Sequence, residues 1–180
     1  MTRPPTKRSS RFPWLQEFRQ EILTGPDAGG LGRPLQPSEA LRVTYISGKG
    51  TDERPKRVLV ADDDVDVCAL LELVLAPLAD VTTVHDAEAA LSLLATQPAY
   101  DAIVSDFMLP GINGVEFVQR VRRDEHVASV PILMISGHGE LNVGAQARAA
   151  GVDAFLDKPF TLSQLRATIR KLLLPRVRFA

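Results

Sequence analysis

One cysteine in 180 residues, Cys68, cannot close an internal disulfide, so a secreted fold built on disulfides is excluded. No apolar run approaches the ~18 residues that a membrane-spanning helix needs. The longest lie around 70–75 and 132–135 and are far too short. Basic residues open the chain (Arg3, Lys7, Arg8 and Arg11), but the apolar core of a secretory leader does not follow them. A dominant charge is lacking as well: 21 Lys and Arg stand against 22 Asp and Glu, leaving a net charge of −1. Nothing global therefore favours a nucleic-acid partner. The expectation is a reducing, cytoplasmic setting with no membrane and no nucleic acid. No internal repeat is visible. Gly48-Lys49-Gly50-Thr51 lacks the spacing of a phosphate loop, and no G-x-G-x-x-G follows the first strand to cradle a dinucleotide.

What is present is a chain that is 45% hydrophobic and 24% charged, enough for one ordinary core with an appendage. Composition changes near residue 55. Residues 1–55 hold 7 of the 13 prolines and 6 of the 12 glycines, with 9 basic against 6 acidic residues. Residues 56–180 carry 12 basic against 16 acidic. Pro and Gly punctuate loops, so 1–55 reads as a partly disordered N-terminal extension. Within it, Phe12, Trp14, Leu15, Phe18 and Ile22 predict a short helix over 12–23, and Leu41–Ile46 a strand over 41–47.

From 56 onward, strands and helices alternate. Apolar runs predict strands at Arg57–Ala61, Val81–His85, Asp101–Asp106, Pro131–Ser136 and Asp153–Asp157. Helical spacing predicts helices at Asp66–Ala76, Asp86–Thr96, Val115–Arg123, Glu140–Ala150 and Leu162–Leu174. Asp64 and Asp86 stand where helix caps belong, and Thr161-Leu162-Ser163-Gln164 is a capping box. Five strand–helix units predict a parallel sheet with helices on both faces.

Ligands of open parallel sheets bind at the carboxyl ends of the strands. The first strand here ends in Asp62-Asp63-Asp64, the third in Asp106, the fourth in Ser136 and the fifth in Asp157-Lys158-Pro159. Crowded carboxylates repel one another and need an opposing charge. Mg²⁺ supplies one, because it is hard and takes oxygen ligands; Lys158 supplies another. A carboxylate beside both can attack a phosphoryl group, and Ser136 can donate to a phosphoryl oxygen.

These residues resemble the receiver domain of two-component response regulators, the CheY-like family. The resemblance rests on Asp62-Asp63, on Ile103-Val104-Ser105-Asp106-Phe107-Met108-Leu109-Pro110-Gly111, on Ile135-Ser136-Gly137 and on Asp157-Lys158-Pro159-Phe160, and it covers about residues 56–176. It implies a flavodoxin-like (βα)5 fold, a doubly wound parallel five-stranded sheet, behind an N-terminal extension. Asp106 resembles the phospho-accepting aspartate. Asp62 and Asp63 resemble the acidic pair for Mg²⁺, with Asp63 and Asp106 as direct ligands, Asp62 acting through water and the Met108 carbonyl as a further ligand. Ser136 and Lys158 match the hydroxyl switch residue and the lysine, and Phe155 the aromatic switch position. The Lys158–Pro159 bond matches one that is cis in the family. Two departures are visible. Asn113 stands where Asp is common, and Phe155 lacks the hydroxyl of the common Tyr. No output domain is expected after residue 175.

The implied function is a phosphorylation switch, not an enzyme. A sensor histidine kinase or a phosphotransfer protein donates to Asp106, and a changed surface engages a downstream protein or a second copy of the chain. A phosphotransfer intermediate is one alternative. An aspartate-nucleophile phosphatase is another, but such hydrolases place D-x-D after the first strand, whereas the nucleophile here is on the third. A never-phosphorylated binding module is the third. Plainer readings stand beside these: Asp64 as a helix cap, Asp157 as a solvated neighbour, Cys68 as a small core residue, His85 and His126 as structural or solvent-facing, and His138 as a loop histidine near the site.

Overall fold

The computed structural model describes residues 54–97, 99–137 and 143–174. The elements run β1 (Arg57–Ala61), α1 (Val65–Leu75), β2 (Asp80–Val84), α2 (Ala87–Thr96), β3 (Ala102–Asp106), α3 (Gly114–Arg123), β4 (Ile132–Ser136), α4 (Val143–Ala150), β5 (Ala154–Asp157) and α5 (Leu162–Leu173). All five strands are parallel, in the order β2-β1-β3-β4-β5. This is the flavodoxin-like doubly wound order, and its switch point lies between β1 and β3. The helix expected at 12–23, the strand at 41–47 and residues 140–142 of the expected fourth helix lie outside the described residues.

Local chemistry sets the boundaries. The Asp64 side chain accepts from the amides of Asp66 and Val67, which starts α1 at Val65, one residue earlier than its apolar spacing predicts. Asp86 accepts from Ala89, Asn113 from Glu116, and Thr161 and Gln164 close their capping box. β2 runs one residue earlier than its pattern predicts. Asp80 donates to Lys56 O at 2.7 Å, and the chain leaves the ladder at His85 to reach the Asp86 cap.

The three central strands are buried along almost their whole length and mostly apolar, because both their faces are covered. Leu59, Ile103, Ile132 and Met134 pack on one face with Ala87 and Ala90 of α2, Phe117, Val118 and Val121 of α3, and Ala147 of α4. The alternating residues Val58, Val60, Val104, Leu133 and Ile135 are buried as well, and point to the opposite face. There α1 packs against α5. Among the described residues no helix is long and apolar enough to cross a membrane.

The start of α3 lies hard against the end of β3. The Gly114 amide donates to Phe107 O at 2.8 Å. A Cβ at Gly114 would stand 2.6 Å from the Asp106 carbonyl oxygen and 3.0 Å from Phe107 Cα, and backbone cannot yield as a flexible side chain can. Gly114→Ala is expected to lower the unfolding free energy by about 2 kcal/mol in urea titrations. Gly137→Ala, with nothing within 4 Å of its Cβ, serves as the control. Equal stability of the two variants would contradict this close approach.

Candidate functional site

β1 and β3 end side by side at the switch point, and each delivers an aspartate to it. Asp106 is the last residue of β3, and Asp62 follows β1 directly. Lys158 enters from beyond β5, where its amide donates to Ser136 O at 2.7 Å and its bond to Pro159 is cis. Its ammonium reaches Asp106 Oδ1 at 2.6 Å and Asp62 Oδ2 at 3.4 Å. All three side chains are buried, with residue exposures of 2% for Asp62, 7% for Asp106 and 4% for Lys158. Such burial of charge persists only with close pairing.

Each carboxylate has a second anchor. Asp106 Oδ2 accepts from the Met108 amide at 2.9 Å, which folds the loop after β3 over the site. Asp62 Oδ1 accepts from the Asp64 amide at 2.9 Å. Ser136 is buried at the end of β4, one residue beyond the Asp106–Ile135 pairing, and its hydroxyl donates to Gly137 O at 3.4 Å. Asp63 is exposed beside Asp62. Phe155 pairs with Met134 in the sheet and packs, half-buried, against the core face that carries α2, α3 and α4. The structure thus joins Asp62, Asp106 and Lys158 in one polar contact, with Asp63 and Ser136 at its rim and Phe155 in the apolar layer. Asp64 is a cap, Asp157 is exposed and Cys68 is buried.

Burial is the main force on the Asp62 carboxyl. It pushes the pKa up from 3.8 to about 6, helped by the Asp106 charge and opposed by Lys158 and the Asp64 amide. Burial would also push the Lys158 ammonium down, but the Asp106 and Asp62 carboxylates hold it above its usual value. Between pH 3.8 and about 6 the folded chain keeps a proton on Asp62 that the unfolded chain has lost. Stability from this group is therefore complete below the lower value and is lost as pH rises through the upper one. Without Mg²⁺, Asp62→Asn is expected to unfold about 2–3 kcal/mol less readily than wild type at pH 7.5, and with little difference near pH 4. Urea denaturation at both pH values checks this; no gain at pH 7.5 would contradict it.

The donors here are hard oxygens, which suits a hard divalent cation. Three carboxylates (Asp62, Asp63 and Asp106) against one ammonium leave an excess of negative charge that such an ion offsets. Among the described residues no three His, Cys, Asp or Glu side chains are gathered closely enough to hold a metal by themselves. Mg²⁺ is usually held by one or two carboxylates together with water and phosphate oxygens, so it does not need three such side chains.

Sequence reasoning left two contacts unread. Cys68 Sγ and His85 Nδ1 each lie 3.2 Å from the Asp62 carbonyl oxygen. His85 directly follows β2, and that position at a strand end was the available signal.

Residues 58–170 match the family model of the response regulator receiver domain. The transcriptional regulatory protein PrrA of Mycobacterium tuberculosis is 39% identical over 119 residues, covering 65% of this chain and 49% of PrrA. The DNA-binding dual master transcriptional regulator RpaA of Synechocystis is 36% identical over 118 residues, covering 65% of this chain and 48% of RpaA. The chain therefore matches about half the length of these curated relatives. Among solved structures, the chemotaxis response regulator CheY4 of Vibrio cholerae superimposes with a TM-score of 0.60 at 29% identity, covering 67% of this chain and all of CheY4.

Proposed function

The chain belongs to the response regulator receiver domain family, and from that membership we propose that Asp106 accepts a phosphoryl group from a sensor histidine kinase or a phosphotransfer protein. The observation that carries this reading is the buried Asp106 carboxylate at the switch point, held by Lys158 Nζ at 2.6 Å. An Asp106 oxygen attacks phosphorus and forms the new O–P bond. The bond from phosphorus to the donor breaks, and its electron pair leaves with the donor. An aspartyl phosphate results. Lys158 stays beside the transferring oxygens and stabilises their charge. In this reading Asp62, Asp63, Asp106 and the Met108 carbonyl hold Mg²⁺, which when bound supplies further neutralisation of phosphoryl charge.

Ser136, buried as the last residue of β4, donates to a phosphoryl oxygen in this reading. Its movement toward that oxygen opens space at the edge of the sheet, and Phe155, half-buried on β5, repacks into it. The surface of α4, β5 and α5 then changes, and with it the affinity for a downstream protein. This is a shift between two populated states, biased by the contacts of the phosphoryl group. Two exposed apolar side chains stand at the same rim, Val65 at the start of α1 and Met108 after β3. They suit the docking of a phosphoryl donor. The proposed role is that of a cytoplasmic switch, not an enzyme turning over a free substrate. Residues 1–55 act in it as an extension ahead of the receiver.

Incubation with acetyl phosphate and Mg²⁺, read by intact-protein mass, tests the reading. The expected result is one added phosphoryl group that chelation of the metal prevents. An unlabelled wild type would sink it, and sustained hydrolysis of a generic phosphate ester would favour a phosphatase instead.

A further inference from the structure

The main chain of Asp62 sits where β1 runs out of neighbours. The Asp62 amide still joins the ladder, donating to Val84 O at 3.1 Å. β2 then ends, and the chain turns through His85 into the Asp86 cap of α2. Two side chains close on the Asp62 carbonyl instead: Cys68 Sγ from α1 and His85 Nδ1 from the end of β2, each at 3.2 Å. Cys68 Sγ and His85 Nδ1 also lie 3.7 Å from each other. A carbonyl oxygen only accepts, so the tautomer of His85 that bonds Asp62 is the one with its proton on Nδ1.

The other end of Asp62 faces the site. Its carboxylate lies inward between the Asp64 amide and Lys158, although burial disfavours its charge. A side chain held against that penalty needs a fixed backbone, and the two donors fix it from behind. Cys68 serves as a donor and not as a nucleophile, since burial and the Asp62 charge push its thiol up to about 12. His85 is exposed, so changing it opens no cavity and its contribution can be read separately from core packing.

We infer that His85, together with Cys68, is a positioning residue that sets the backbone of Asp62 and thereby the acidic pocket for Mg²⁺. The inference rests on the proposed role of Asp62 in that pocket. The test uses the full chain and three variants. His85→Phe keeps a ring without a donor. His85→Asn places an amide N–H where Nδ1–H stood. Cys68→Ser keeps a donor in the core. Mg²⁺ affinity is measured by calorimetry, and exchange of the Asp64 amide, which reports the Asp62 carboxylate directly, is measured without metal.

His85→Phe is expected to weaken Mg²⁺ binding roughly tenfold, as loss of an outer partner does at metal sites. It is also expected to speed exchange at Asp64, while His85→Asn and Cys68→Ser stay close to wild type in both. A Phe variant indistinguishable from wild type would overturn the inference, and so would an Asn variant as impaired as Phe. Failure of wild type to take a phosphoryl group from acetyl phosphate would strike the proposed function instead, and the Asp64 exchange comparison would still decide the positioning.

Discussion

Asp106→Asn is expected to lose labelling by acetyl phosphate almost entirely, with a rate at least about a hundredfold below wild type. The carboxylate oxygen is the attacking atom, and an amide oxygen is a far weaker nucleophile. The substitution spares the scaffold. Asn keeps an oxygen for the Met108 amide, which now lies 2.9 Å from Asp106 Oδ2. It also relieves a site where two buried carboxylates share one ammonium, so the folded state gains or keeps its stability. A lost label in a fully folded variant therefore identifies the acceptor, and not a damaged fold. Asp157→Asn is the control, because Asp157 neighbours Lys158 in sequence yet is exposed. It should label like wild type. If Asp106→Asn is labelled as well as wild type, another residue takes the phosphoryl group.

Much of this site was legible because its parts fall at the ends of strands, and strand ends of a parallel sheet share one rim. β1 occupies Arg57–Ala61 as its run of Val and Leu predicts, and the capping oxygens of Asp64, Asp86, Asn113 and Thr161 act within three residues of themselves. Such short-range chemistry can be read from spacing. The balance of forces at Asp62 could not. Crowding of carboxylates was the expected strain, yet burial outweighs the Asp106 charge as the cause of its raised pKa. Burial depends on how α1 and the loop after β3 close over the rim, which no local pattern encodes. The same holds for His85, whose partner lies 23 residues away in the chain.

Arg122 is the clearest case of what local pattern hides, and its removal is expected to destabilise the fold most. By sequence it is one of three arginines in the last turn of α3, a place where a basic side chain ordinarily complements the helix dipole and meets water. In the structure its guanidinium ties together three segments. Nε donates to Gly151 O at 2.9 Å, one terminal nitrogen donates to Ala128 O and Val130 O at 2.8 Å each, and the other meets Asp153 Oδ2 at 2.8 Å. Asp153 Oδ2 in turn accepts from the Ile132 amide at 2.7 Å, so the network fixes how β4 and β5 begin. Gly151, at φ +99°, makes the turn that brings its carbonyl to Arg122. Truncation to Ala takes a donor from three part-buried carbonyls and the charged partner from Asp153, which keeps the Ile132 amide. Water repairs some of that loss, because the Arg122 side chain is 21% exposed. Arg122→Ala is expected to lower the unfolding free energy by about 4 kcal/mol. Arg122→Lys should recover only a small part of this, since an ammonium cannot span a fork of four acceptors. Arg123→Ala, one position along on the exposed side of the same turn, should change stability by less than about 0.5 kcal/mol. Urea titrations of the three variants decide it, and an Arg122→Ala protein as stable as Arg123→Ala would show that these bonds contribute little net stability.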